Sequence, residues 1–220
     1  YAKLGFDPLK DYSYVTLLAV LPSLLMVHPS IPAKSMKELI ALARKAPRKL
    51  SYATSGTGAA GHLGMELLKQ LENVDMVHVP YKGSANSRID LLGGHVDVMF
   101  DVLRTALPFK EAGKVRMLAV AALARQSIAP DVPTMDELGY KGLEVLTWHA
   151  LLAPAGFNKG LADKMQSVIR TALLAPAMKE KLTRDGVDAL ATTPAELDAF
   201  MRADIEKWRK VIQAAKIRGD

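Results

Sequence analysis

The sequence has no cysteine. A catalytic thiol, a disulfide framework and a thiolate metal site are therefore excluded. No apolar run reaches the roughly 18 residues of a membrane-spanning helix. The longest, 15–27, is interrupted by Pro22 and Ser23. The histidines at 28, 62, 78, 95 and 149 show no H-E-x-x-H or other metal-ligand spacing. No G-x-S-x-G elbow is present, nor any nucleophile set beside its base. There is no internal repeat and no low-complexity tract. No stretch reads as a signal peptide or targeting tail. The opening Tyr1-Ala-Lys-Leu-Gly-Phe-Asp-Pro reads as the middle of a domain, so an upstream N-terminal part is expected.

What is present is ordinary for a soluble globular chain: 220 residues, half hydrophobic and a quarter charged. That length allows one large domain or two small ones. The net charge is +6. A nucleic-acid binder would gather such charge on one face among aromatics. Here Lys and Arg are spread among Asp and Glu, and only Arg44, Lys45, Arg48 and Lys49 cluster. Nucleic-acid binding is not expected.

From 24 to 122 the pattern alternates strand and helix. Strands are expected at 24–28, 49–53, 75–80, 96–100 and 115–122. Helices are expected at 36–46, from the Ser55 turn to about Leu71, at 84–92 and at 104–112. Ser35 and Glu38 form an S-x-x-E capping box before the first helix, and Pro47 ends it. The alternation argues for a parallel-rich sheet with helices on both faces. Residues 124–141 read as irregular and 143–153 as extended. Helices follow at 159–174, 176–184 and 194–215, with an edge strand at 187–191. Thr193 caps the last helix, with Pro194 at its first position. That helix carries Leu197, Phe200, Met201, Ile205, Trp208 and Ile212 on one face, which needs a partner surface, sought in the upstream part. The expected division is an α/β domain at 23–122, inserted into a second domain made of 1–22 and 123–220. Two chain crossings between domains make a natural hinge.

The strongest constellation is the glycine-rich segment 51–64, Ser-Tyr-Ala-Thr-Ser-Gly-Thr-Gly-Ala-Ala-Gly-His-Leu-Gly. It leaves a strand and opens a helix. Ligands of open α/β sheets bind beyond the carboxyl ends of the strands. A helix N-terminus there offers free N–H groups and partial positive charge. Gly56 and Gly58 allow close backbone approach, and Ser55 and Thr57 add hydroxyl donors. These groups suit an anion. His62 falls in the first turn of the same helix. Lys82 and Asp101 end the next two strands on the same edge. Thr147 and Trp148, on the returning strand, are candidates to line the cleft from the other domain. No cofactor is expected.

Residues 56–61 also spell G-x-G-x-x-G, the dinucleotide fingerprint. That motif expects an acid about 20 residues on, after the next strand. Here the strand ends Val79-Pro80-Tyr81-Lys82, without one. Lys82 suits a 2′-phosphate, so an NADP-dependent oxidoreductase stands as the alternative. A weaker alternative is the effector domain of a transcriptional regulator, which would follow a helix-turn-helix.

At these residues the chain resembles the Bug-type extracytoplasmic solute receptors, the binding proteins of tripartite tricarboxylate transporters. The likeness rests on Asp7-Pro-Leu-Lys-Asp11, Val27-His-Pro-Ser-Ile-Pro-Ala-Lys-Ser35, the 52–63 loop and Val77-His-Val-Pro-Tyr-Lys-Gly83. It continues through Asp90-Leu-Leu-Gly-Gly-His-Val-Asp97, Met99-Phe-Asp101, Gly113-Lys-Val-Arg-Met-Leu-Ala-Val120, Pro130-Asp-Val-Pro-Thr134 and Leu151-Leu-Ala-Pro-Ala-Gly156. The resemblance implies a periplasmic-binding-protein-like, two-domain "Venus flytrap" that is not an enzyme. It implies export to the periplasm, a monomer, capture of a small mono-, di- or tricarboxylate or acidic amino acid, and handover to a membrane permease. Family members also carry an upstream strand and a Pro-Gly-Gly loop that completes the carboxylate grip.

Overall fold

The computed structural model describes residues 4–218. In chain order the elements are β1 (Tyr12–Val27), α1 (Met36–Lys45), β2 (Ser51–Thr54), α2 (Ala60–Glu72), β3 (Val77–Pro80), α3 (Ser84–Leu92), β4 (Val98–Val102) and α4 (Leu103–Glu111). Then come β5 (Arg116–Val120), β6 (Leu146–Pro154), α5 (Lys159–Leu173), α6 (Pro176–Arg184), β7 (Asp188–Ala189) and α7 (Pro194–Ala215). The chain divides into two compact units. One holds the chain up to Leu21 together with Trp148–Arg218, and the other is Pro22–Thr147.

In the 22–147 unit the strand order is β3-β2-β4-β1-β5. β2 runs parallel to β3 and β4, while the second half of β1 is antiparallel to β4 and β5. The sheet is thus mixed. The parallel β2, β3 and β4 are joined by α2 and α3, because parallel neighbours need a crossover. On one face Leu24, Met26, Ala53, Met99 and Val120 form a buried cluster with Leu91 of α3 and Leu103 and Ala106 of α4. On the other face α2 lies close against β4. A Cβ on Gly61 would stand 3.2 Å from the Phe100 carbonyl oxygen. One on Gly64 would stand 3.4 Å from Phe100 Cδ2. Two glycines one turn apart give the helix this approach.

In the other unit the first half of β1 pairs with β6 and β7. α7 covers it: Leu17, Leu197 and Met201 form a buried cluster flanked by Tyr14, Trp148, Leu152 and Phe200. The first part of the apolar face of α7, Leu197, Phe200 and Met201, packs on residues of β1 and β6; Ile205, Trp208 and Ile212 remain half-buried. The Thr193 cap is a full capping box with Glu196.

Two boundaries differ from the sequence reading. The strand expected at 24–28 is the end of a 16-residue strand that passes through Pro22. The chain also leaves the inserted unit after Thr147 rather than after 122. Residues 123–147 lack regular structure for most of their length, yet backbone bonds bind them to the 22–147 sheet. Val120 N–H donates to Pro133 O at 2.8 Å, and Met135 N–H to Val120 O at 2.8 Å. Ala129 and Val132 join the cluster around Leu24.

Candidate functional site

β2 ends at Thr54, and the loop that follows is built by glycine. Gly56 has φ +148° and Gly58 φ +79°, backbone states that side-chain-bearing residues rarely adopt. A Cβ added at Gly58 would meet no atom within 4 Å beyond its chain neighbours, so the requirement there is conformational rather than steric. The loop is stitched to its neighbour. Tyr81 N–H donates to Thr54 O, and Gly83 N–H donates to Ser55 O, each at 3.0 Å. The turn before α2 and the turn before α3 therefore form one surface at the carboxyl ends of β2 and β3.

Three helices begin at this edge of the sheet. The N-cap residues of α2, α3 and α4 are Ala59, Gly83 and Val102; none makes a side-chain cap, and none of the three first turns holds an acid. Their first N–H groups have no acceptor earlier in the helix. Each end carries partial positive charge.

Beneath the loop lies a buried polar stack. Gly58 N–H donates to His62 Nδ1 at 3.0 Å. This acceptor role fixes the His62 proton on Nε2. The His62 ring stacks on His78 with centroids 3.8 Å apart, and His78 stacks on Tyr52 at 5.0 Å. His78 Nε2 lies 2.7 Å from Thr54 Oγ1. Tyr52 OH donates to Glu66, which also pairs with Lys69 at 2.8 Å. Burial pushes the His62 pKa down. Burial and the adjacent His62 push that of His78 down to about 4. The two rings are neutral at pH 7.

The structure brings Ser55, Gly56, Thr57, Gly58 and His62 onto one turn, with Lys82 exposed on the stitched neighbouring turn. The Gly58 N–H and His62 Nδ1 are partnered with each other, which leaves the hydroxyls of exposed Ser55 and half-buried Thr57 and the first-turn N–H groups of α2 as the donors of this turn. Asp101 ends β4 and is buried. Its carboxylate is held by Arg88, with Nε to Oδ2 at 2.6 Å and Nη2 to Oδ1 at 3.2 Å. The sequence places Asp101 at the edge of the candidate site, and the structure gives it an arginine partner. Arg88 was missed. The available signal was a lone cation in α3, within a stretch otherwise free of charge from Gly83 to Ile89. Thr147 ends the 22–147 unit. Trp148 belongs to the other unit, where its ring meets Phe200 edge-on at 5.7 Å. Among the described residues no group of three or more His, Asp or Glu is placed to hold a metal. The G-x-G-x-x-G reading gains nothing, because β3 ends in Pro80 with Tyr81 bonded to Asp90, and no acid is offered there to a ribose.

The family model of the tripartite tricarboxylate transporter family receptor matches residues 1–217. The chain belongs to that family. A Pseudomonas sp. (strain P51) protein, named for the tcbD-tcbE intergenic region, is 35% identical over 213 residues, covering 96% of this chain and 63% of its own length. The chain thus spans less than two thirds of that relative. A Rhodopseudomonas palustris protein solved with adipate superposes with a TM-score of 0.89 at 34% identity, over 99% of this chain and 73% of that one. The periplasmic binding protein BugD superposes at 0.83 with 33% identity, over 98% and 73%. The family and the binding-protein-like α/β fold expected from the sequence are borne out. Members of this family are periplasmic solute receptors.

Proposed function

We propose that this chain forms most of a periplasmic receptor that captures a small carboxylate and delivers it to the permease of a tripartite tricarboxylate transporter. It acts as a monomer and carries out no catalysis. The observation that carries this reading is the turn at 55–59, whose two left-handed glycines lead into an uncapped, acid-free helix end. Ser55 and Thr57 hydroxyls and the first N–H groups of α2 hold the carboxylate. Lys82 adds positive charge. Gly58 and His62 support the turn from below.

Magnitudes decide how much this edge supplies. Micromolar affinity needs about 8 kcal/mol. A charge-assisted hydrogen bond contributes about 1.5–3 kcal/mol, and the helix end adds up to ~2 kcal/mol. Four such bonds and the helix end total about 8–14 kcal/mol, and association costs of about 4–15 kcal/mol leave the loop alone short of that need over most of the range. A second surface closing over the ligand makes up the difference, which favours a clamp over an open pocket. Thr147, expected on the other domain, lies in the same 22–147 unit as the turn and is kept as a proposed contact on the turn's own side of the ligand. Trp148 is not, because its ring is used in packing.

Isothermal titration calorimetry of the full chain with succinate, adipate and citrate tests the reading. At least one acid is expected to bind, and Ser55→Ala to weaken it tenfold or more. If Ser55→Ala and Gly58→Val both leave affinity unchanged, the loop is not the site.

A further inference from the structure

We propose that Arg88 sets the ligand class: by occupying Asp101 it makes the site select carboxylates without an amino group over amino acids. This rests on the reading of the 55–59 turn as the carboxylate site.

Asp101 stands at the same sheet edge as that turn. In the parallel β2–β4 pair Ala53 is level with Met99. β2 ends at Thr54 and β4 carries Asp101 two residues beyond Met99, so the 55–59 turn and Asp101 leave neighbouring parallel strands at the same end, strands about 4.8 Å apart. A carboxylate in this place is a strong feature. Left free, it would attract the ammonium of an amino acid and repel the carboxylate of a plain acid. It is not free. Arg88 grips both of its oxygens, and Val102 N–H donates to Oδ1 at 2.9 Å. The two side chains are 19% and 4% exposed, so little water competes. Arg88 is itself pinned. Nη2 reaches Thr105 Oγ1 at 3.3 Å, and the guanidinium lies 6.0 Å from the centre of the Phe109 ring. A planar, bidentate pair of this kind is geometrically specific. An incoming ammonium would have to displace it and leave a buried guanidinium without its counter-charge. Arg88 acts through Asp101 and is a positioning residue. The edge that meets the ligand is thereby kept from being net negative.

Calorimetry with matched acids that differ only in an α-amino group reads this directly: succinate against aspartate, glutarate against glutamate, adipate against 2-aminoadipate. In the full-length wild-type chain the plain acid of the bound pair is expected to bind at least tenfold tighter. Arg88→Leu exposes the Asp101 charge and is expected to move that ratio at least tenfold toward the amino acid. Asp101→Asn leaves the guanidinium charge unbalanced and is expected to move it the other way, so the test does not depend on one variant folding. A purely structural ion pair would change the melting temperature and leave the ratio alone. Equal wild-type affinities within a pair, or a ratio unmoved in a folded variant, overturns the assignment of Arg88 alone. Failure of the wild type to bind any of the six, or citrate, overturns the receptor reading beneath it; binding of citrate alone overturns the assignment of Arg88 and leaves that reading standing.

Discussion

His62 and His78 lie face to face under the 55–59 turn, and neither can take a proton without placing charge in a largely buried stack. Their native pKa values are depressed from 6.5, that of His78 to about 4. Above pH 6.5 both folded and unfolded chains hold them neutral. As pH falls below 6.5 the unfolded chain binds protons that the folded chain refuses, so stability falls until about pH 4. Melting temperatures taken from pH 7 to pH 4.5 should drop, and the drop should be shallower in a His62→Gln/His78→Gln variant. Parallel slopes would show that other groups govern the acid limb. At this scale the backbone of the candidate site was legible. The Gly56 and Gly58 turn and its hydroxyls follow from local pattern, because a strand, a glycine turn and a helix are contiguous. The histidine stack was not legible. His62 on α2 and His78 on β3 meet only because the crossover folds back on the sheet, which no local pattern announces. Arg88 was hidden for the same reason, since it sits on helix α3 and its partner lies 13 residues away on strand β4.

At the scale of elements, α2 is positioned by glycine as much as by its apolar stripe. A Cβ on Gly64 would meet Val145 Cγ2 at 2.5 Å and Cγ1 at 3.3 Å. Val145 is fully buried and β-branched, so it cannot swing aside cheaply. Alanine normally favours a helix interior over glycine by about 1 kcal/mol. Here overpacking of about 1–3 kcal/mol outweighs that gain. Gly64→Ala should lower the melting temperature, and Val145→Ala in the same chain should recover part of the loss. Additive losses in the two single variants would remove the contact from the account. The helices of the C-terminal half were readable to within a residue or two, because Pro176, Thr193 and Pro194 announce their starts. β1 was not. Pro22 reads as a break, yet it falls between the residues that pair with β7, Ala19 and Val20, and those that pair with β4, from Ser23 onward. A strand that serves two sheets tolerates proline at the changeover.

At the scale of the molecule, residues 22–147 carry five strands' worth of sheet, four helices and a separate buried cluster. The ends of this unit meet, since Ser23 N–H donates to Val145 O at 2.9 Å. Excised, 22–147 should fold and melt cooperatively, with far- and near-ultraviolet circular dichroism transitions coinciding. A broad, probe-dependent melt would sink the idea. The same contacts explain why the second boundary could not be read: segment 123–147 is held by backbone bonds at long sequence range, which leave no periodic trace. The outer unit is closed differently. Leu17 packs on Leu197 and Met201. Thr16 Oγ1 donates to Thr192 O at 2.8 Å across 176 residues. A chain that emerges from any opening with its N-terminal side first therefore presents the first half of β1 long before α7 arrives to cover it. The inserted unit can close in the meantime. Until then the face of β1 that Leu197 and Met201 cover stays exposed, so the outer unit is the part of this protein whose assembly is exposed to delay.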